Sequence, residues 1–458
     1  MRTTSLWLLA LLLCLVPLRS VQAGWVDRFD GTLHDSDEGL ATVVAGGAVY
    51  VAGRTTERVG VASGIPRGFV ARHDAATGSR VWTLVYGASE GADVTYSCHA
   101  ILAAPDGDLL VGCSRGYGAI AVLRVTPDGV VVWVRTQSAC LCLPNFGALA
   151  LDSAGNVYLA GKGPSGALVT GFDAAGGELG TWQYPMALED LAIDGDGFVY
   201  LAGSLPVPNL ATEAAVVKLA PGGGLVWQRT FGAPGPFAND GFSTLTLSGG
   251  RLLASGGFGY NEATGSDALV IALDRDGGLL WQFTHDGAAS AGDAFLAARA
   301  AADGSLYLVG YETAATGGLD ALVVRLDAAG GALWHRTLAG PGGWDDLAWS
   351  LALAPGGGVA VAGFERLLSG DRQYLYARFD AGGQLLDRDS YGGPLAAGTG
   401  AWSVAVDALG HAYLTGGSFG TATGSDIATV RFDHPTAIFS EGFESGNLAS
   451  WGLVVGLL

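Results

Sequence analysis

Eight short apolar runs, each closing on a small residue, recur along this chain and leave it little freedom in how to fold. They are Val49-Tyr50-Val51-Ala52-Gly53, the variant Leu109-Leu110-Val111-Gly112-Cys113, and the runs at 157–161, 199–203, 252–256, 306–310, 359–363 and 412–416. The last four intervals between their end residues are 53, 54, 53 and 53. Further along each regular unit a tryptophan follows a glycine-rich turn, as in Gly330-Gly331-Ala332-Leu333-Trp334. Strand-like segments repeating at such a period mark a repeat architecture.

Residues 293–340 show the unit most plainly. A first strand begins at Asp293-Ala294-Phe295, and Asp303-Gly304 makes a hairpin turn. The run 306–310 is the second strand, Ala321-Leu322-Val323-Val324-Arg325-Leu326 the third, and Trp334 leads the fourth. The second strands are apolar on both faces, so they are covered on both sides. Four-stranded sheets packed face to face around an axis supply that cover, and no segment shows a sustained, capped helical period. The chain therefore reads as an all-β protein, a β-propeller of four-stranded antiparallel blades.

Trp82, Trp133, Trp182, Trp227, Trp281 and Trp334 lie 51, 49, 45, 54 and 53 residues apart. At the next place Leu385-Leu386 is followed by Asp387, so one blade lacks its tryptophan. The last repeat ends after three strands. The segment Trp25-Val26-Asp27-Arg28-Phe29-Asp30-Gly31 matches Trp281-Gln282-Phe283-Thr284-His285-Asp286-Gly287 and supplies the fourth. Eight blades result, the N-terminal strand closing the last. Seven is the alternative, if the irregular second or fourth repeat makes no blade of its own. Closure removes the exposed edges of a linear array.

Residues 1–23 have a basic start at Arg2, a short apolar core and a small-residue site at Val21-Gln22-Ala23, the pattern of a secretory signal peptide. The propeller then spans 24–434 and a tail spans 435–458. The apolar run is too short for a membrane anchor, and no later stretch is long enough to span. A formal charge of −19 disfavours nucleic acid and anionic membrane surfaces. Export permits disulfides among the four mature cysteines, Cys98, Cys113, Cys140 and Cys142, with three pairings open. Cys98 and Cys113 flank the turn Pro105-Asp106-Gly107-Asp108 and fall on adjacent strands.

The segments Asp267-Ala268-Leu269-Val270, Leu273 to Trp281 and Gly340 to Ala348 resemble the bacterial SBBP β-propeller repeat, over nearly all of 25–433. That resemblance implies a secreted or surface-exposed propeller. The turn Ala71 to Trp82 resembles the tryptophan-docking motif of quinoprotein dehydrogenases, which implies eight blades with each tryptophan stacked on the next blade. Those enzymes use an adjacent-cysteine disulfide and a calcium site with a catalytic aspartate. Here Leu141 separates Cys140 from Cys142, and no matching Glu, Asn and Asp set is found. The tail around Glu441-Gly442-Phe443-Glu444-Ser445-Gly446 is similar to FESG-type tails of exported Gram-negative proteins.

One tryptophan per blade at a fixed place is inter-blade core. Trp344 and Trp402 fall elsewhere in the repeat and are the ligand candidates. Glu38, Asp93, Asp190, Asp240, Asp293 and Asp345 recur just before the first strands. They either cap their own loops or form an axial acidic ring offering oxygen ligands to a divalent cation such as calcium; no other cofactor is expected. Asp194-Gly195-Asp196-Gly197 is a hairpin turn rather than a calcium loop. The leading expectation is an exported, non-enzymatic propeller, monomeric, that binds or scaffolds a protein or glycan outside the cell or in the periplasm. The alternatives are an enzyme with an axial-funnel site, quinoprotein-like oxidoreductase or hydrolase, and a carbohydrate-binding lectin. Departures from the repeat cluster in the second and third units, with the four cysteines and the loop Leu141 to Asn145.

Overall fold

The structure, a computed structural model, describes residues 23–59, 62–88, 94–116, 118–138, 146–207, 211–232, 240–261, 265–287, 289, 291–395, 397–421 and 423–433. The signal peptide up to residue 22, the tail at 435–458, Asp93, Cys140, Cys142 and the loop 141–145 lie outside them. The described residues form eight four-stranded antiparallel sheets and no helix. Blades 1 to 7 occupy residues 38–86, 96–138, 146–184, 187–231, 241–285, 294–338 and 347–391. Blade 8 has Gly398–Val406, Ala412–Phe419 and Ser425–Phe432, and Ala23–Phe29 is its outermost strand. Val26 pairs with Val430 and Phe29 with Ile427, so the N-terminal strand closes the ring as its match to Trp281-Gln282-Phe283 implies. The irregular second and fourth repeats each make their own blade, which rules out seven.

Each first strand touches the first strands of both neighbours, and that of blade 1 touches that of blade 8. The first strands therefore surround the axis and the fourth strands form the rim. Second strands lie inside the sandwich of sheets: Val199, Tyr200, Leu201 and Ala202 are all fully buried. Between blades 6 and 7, Tyr307, Val309 and Val323 pack against Leu351, Val361 and Leu375. Burying an aliphatic side chain of this kind stabilises the fold by about 1.5–3 kcal/mol.

A β-bulge explains why the apolar runs end in glycine. In every blade the first strand skips one register position against the second, at Leu40, His99, Gly147, Glu189, Ser243, Leu296, Trp349 and Trp402. The bulge bends the first strand and drives its backbone onto the end of the second. A Cβ on Gly310 would stand 1.9 Å from the Ala294 carbonyl oxygen, and one on Gly363 1.8 Å from that of Leu347. Blade 2 has Cys113 at this place. It pairs in register with Cys98 and is joined to it by a buried disulfide.

The tryptophans stitch one blade to the next. Trp82 donates its indole N–H to the Pro127 carbonyl at 2.9 Å, Trp227 to Arg275 at 3.0 Å and Trp334 to Ala381 at 3.0 Å, each on the third-to-fourth-strand turn of the following blade. Trp25 does the same across the closure, to Ala75 at 3.0 Å. The turn glycines leave room for the rings: Gly223, at φ +82, would carry a Cβ 1.6 Å from Trp182. Where Asp387 stands in place of the tryptophan, no indole bond is made; the third-strand Arg378 bonds the Gly410 carbonyl at 2.6 Å, on the first-to-second-strand turn of blade 8. The core reading of these tryptophans holds, and third-strand bases such as Arg325 and Arg431 share their acceptor carbonyls, Ala381 and Ala75.

Candidate functional site

The antiparallel order gives the ring two distinct ends. One holds the first-to-second and third-to-fourth-strand turns with the docked tryptophans; we call it the hairpin end. The other holds the second-to-third-strand turns and the connectors between blades; we call it the connector end. The eight bulged residues lie early in the first strands, on the axial wall near the connector end. None of the eight is buried, whereas the apolar strand positions behind them are. Bulges re-aim side chains and are common beside functional sites.

The side chains at these positions differ around the ring. Trp349 and Trp402 stack face to face, with centroids 3.9 Å apart and planes 2° from parallel. Trp402 donates its indole N–H to Glu38 at 2.7 Å, and Arg54 pairs with the other Glu38 oxygen at 2.9 Å. On the next arc, His99 stacks on Phe146 at 5.7 Å. His99 is exposed at its bulge, with protein mass from the surrounding wall close about it. Desolvation there, with a contribution from the Arg54 charge, pushes its pKa down from 6.5 to about 4, so the imidazole is neutral at physiological pH.

The acidic residues serve the backbone. Asp37, Asp240, Asp293 and Asp346 are buried. Asp293 accepts N–H bonds from Gly287 at 2.6 Å and Thr313 at 2.8 Å, tying an inter-blade connector to the second strand. Asp37 does so with Gly31 and Thr56, Asp346 with Gly340 and Arg366, and Asp240 binds the N–H of Gly259. Burial raises Asp37 to about 6 against those bonds. The recurring carboxylate in blades 1 and 7 is thus Asp37 and Asp346 rather than the neighbouring Glu38 and Asp345. Asp345 accepts only a 3.2 Å bond from Leu319. Asp190 accepts the Leu245 N–H of blade 5 at 2.8 Å, as Ser350 accepts from Val404 and Ser403 from Thr42. It is a cross-blade stitch, raised to about 6 by burial. Among the described residues no three His, Cys, Asp or Glu side chains come together to hold a metal ion.

Trp344 stands in the connector between blades 6 and 7 and is 51 % exposed. It does not join the Trp349–Trp402 stack. Trp349 was not singled out from the sequence, although it precedes Gly363 by the same 14 positions that separate Trp402 from Gly416.

Between blades 3 and 4 the connector end carries a cavity of about 460 Å³. Its walls include Phe146, Met186 and Leu188, with Lys162 and Glu189 among the lining residues. Three local features open it. The connector between these blades is only Pro185-Met186, whereas residues 232–240 link blades 4 and 5. The second-to-third-strand turn of blade 3 is only Pro164-Ser165. The bulged residue of blade 3 is Gly147, which has no side chain to fill the wall. The cavity adjoins Phe146, the residue after the irregular cysteine-bearing loop, so it borders the region where the repeat departs most from its pattern.

Residues 165–368 match the family model described as outer membrane protein assembly factor BamB. The match runs over blades 3 to 7 and covers less than half of the chain, so it is a similarity over that stretch. No curated protein matches the chain. Among solved structures, Sqt1 of Saccharomyces cerevisiae is similar at 10 % identity with a TM-score of 0.57, over 89 % of this chain and 98 % of that one. Drosophila Plexin A in complex with Semaphorin 1b gives 10 % identity and 0.46, over 91 % and 88 %. A protein of unknown function from Bacteroides caccae gives 16 % identity and 0.37, over 59 % and 89 %. At these identities the likeness speaks to the fold, and only the Sqt1 match is used for it.

Proposed function

We propose that this is an exported, non-enzymatic propeller that binds or scaffolds a partner in the cell envelope or outside the cell, using its connector end. The observation that carries the reading is the division of labour among side chains there. The carboxylates of Asp37, Asp190, Asp293 and Asp346 are tied to backbone N–H groups, Glu189 being the exposed exception on the axial wall. The axial wall carries the half-buried Leu40, Leu296, Trp349 and Trp402, which suit contact more than proton transfer, beside the exposed His99 and Glu189. The similarity to the BamB model supports a role in the envelope, and the signal-peptide pattern and SBBP-type resemblance support export. A divalent cation such as calcium has no required place in this reading.

A lectin is the second reading, favoured by the Trp349–Trp402 stack with Glu38 and Arg54 beside it. Aromatic faces take up sugar rings while neighbouring polar groups take up hydroxyls. Two assays on the purified protein separate the readings. Turnover of alcohols with added quinone and calcium is expected to be absent, and finding it would defeat the non-enzymatic reading. Glycan-array binding lost in Trp402→Ala but kept in Trp281→Ala would select the lectin within the binding class.

A further inference from the structure

We infer that the cavity between blades 3 and 4 is a binding site for a short apolar zwitterion of di- or tripeptide size, its carboxylate met by Lys162 and its ammonium by Glu189. A space of about 460 Å³ falls in the range of small-molecule sites and exceeds what a single ordered water needs. Phe146, Met186, Leu188 and Pro206 give it an apolar body. Apolar walls with a few charged groups at defined places are the usual composition of a site that orients its ligand.

The charges select the ligand class. The chain has only two lysines, Lys162 and Lys218. Lys218 is spent on the Arg275 carbonyl at 2.9 Å in the docking network of the hairpin end. Lys162 is exposed at the cavity, and neither it nor Glu189 has an ion-pair partner recorded among the described residues. Glu189 is exposed at the cavity mouth as well, and partial desolvation by its surroundings raises its pKa. A simple anion would meet the field of a chain at −19, and a simple cation would leave Lys162 without a counter-charge. A zwitterion carries no net charge, so the long-range field does not oppose it, and both local charges are used.

The inference rests on the binding reading only in taking the cavity as a place of binding rather than chemistry. Isothermal titration of the full chain with the dipeptide Leu-Leu tests it, alongside N-acetyl-Leu-Leu and Leu-Leu amide. Leu-Leu should bind, and blocking either terminus should weaken it by about tenfold or more, the scale of a lost charged hydrogen bond. Lys162→Gln should abolish the preference for the free carboxylate and leave that for the free amine. Glu189→Gln should do the reverse. Gly147→Leu, which fills the wall, should abolish binding; retained melting in the two charge variants covers the case in which it misfolds. Equal binding of the blocked and free peptides, or no binding of Leu-Leu, would overturn the site while leaving the non-enzymatic reading in place. Recovery of free leucine from the bound dipeptide would keep the site and sink the non-enzymatic reading.

Discussion

At the hairpin end the blades repeat one device: an indole or guanidinium donates to a carbonyl on the next blade's turn, and a glycine with positive φ makes space for it. At the connector end the backbone is just as regular, with a bulge in all eight blades, but the side chains on it are not. They run Leu, His, Gly, Glu, Ser, Leu, Trp and Trp around the ring, and the connectors vary from residues 185–186 to residues 232–240. Closing a ring puts a similar demand on every joint, so repetition marks the structural end. A particular ligand needs a particular arc, so loss of repetition marks the end available for function.

The sharpest way to break this comparison is at a turn glycine. In Gly223→Ala the new methyl would overlap Trp182 in a backbone conformation that disfavours Ala, so the indole must leave its seat. We expect a loss of about 4 kcal/mol, the cost of undocking a large aromatic plus local strain. Gly147→Ala meets nothing nearer than the mobile end of Leu188 at 3.2 Å and should cost under about 1 kcal/mol. Urea unfolding of the two variants compares them directly. Similar losses would mean that the connector end is as constrained as the hairpin end.

A smaller contrast lies among the acidic residues. Asp293→Ala leaves the N–H groups of Gly287 and Thr313 without acceptors and should cost about 2–3 kcal/mol. Asp345→Ala gives up one long bond and should cost well under 1 kcal/mol, or about the scatter of surface changes. If the two melt alike, the bridging role assigned to the buried carboxylates is wrong.

A third contrast, confined to acid pH, is a pH dependence. The folded pKa of His99, about 4, lies below its ordinary 6.5. Between these values the unfolded chain takes up a proton that the folded chain refuses, so stability falls as the pH drops from 6.5 towards 4. Asp37 and Asp190, raised from 3.8 to about 6, act oppositely: their contribution grows as the pH falls through 6 towards 3.8. Comparing the wild type with His99→Gln isolates the histidine. The wild type should lose ground to the variant below pH 6.5; parallel melting curves across that range would mean that His99 titrates normally.

The sequence makes legible what repetition enforces. Doubly covered second strands, Asp-Gly hairpins and spaced tryptophans are written as periodic residue types, and the match of Trp25-Val26-Asp27 to Trp281-Gln282-Phe283 shows the closure. The bulge is not written that way, because a register shift is a relation between two strands and leaves only the glycine opposite it as a trace. Trp349, His99 and Glu189 were missed for that reason. The one-residue displacement from Asp37 to Glu38 and from Asp346 to Asp345 has a similar cause: adjacent carboxylates look alike in one dimension and point to opposite sides of an extended strand. The cavity left a weak signal, the short interval of 45 residues from Trp182 to Trp227 beside a connector of only Pro185-Met186.

The separability of the two ends is tested most directly by measuring melting temperature and Leu-Leu affinity together on Trp281→Ala and Lys162→Gln. A crossed pattern is predicted: Trp281→Ala lowers the melting temperature and leaves the affinity of the folded protein unchanged, while Lys162→Gln lowers the affinity and leaves melting unchanged. Loss of affinity in folded Trp281→Ala, or a melting temperature lowered equally by both, would contradict it.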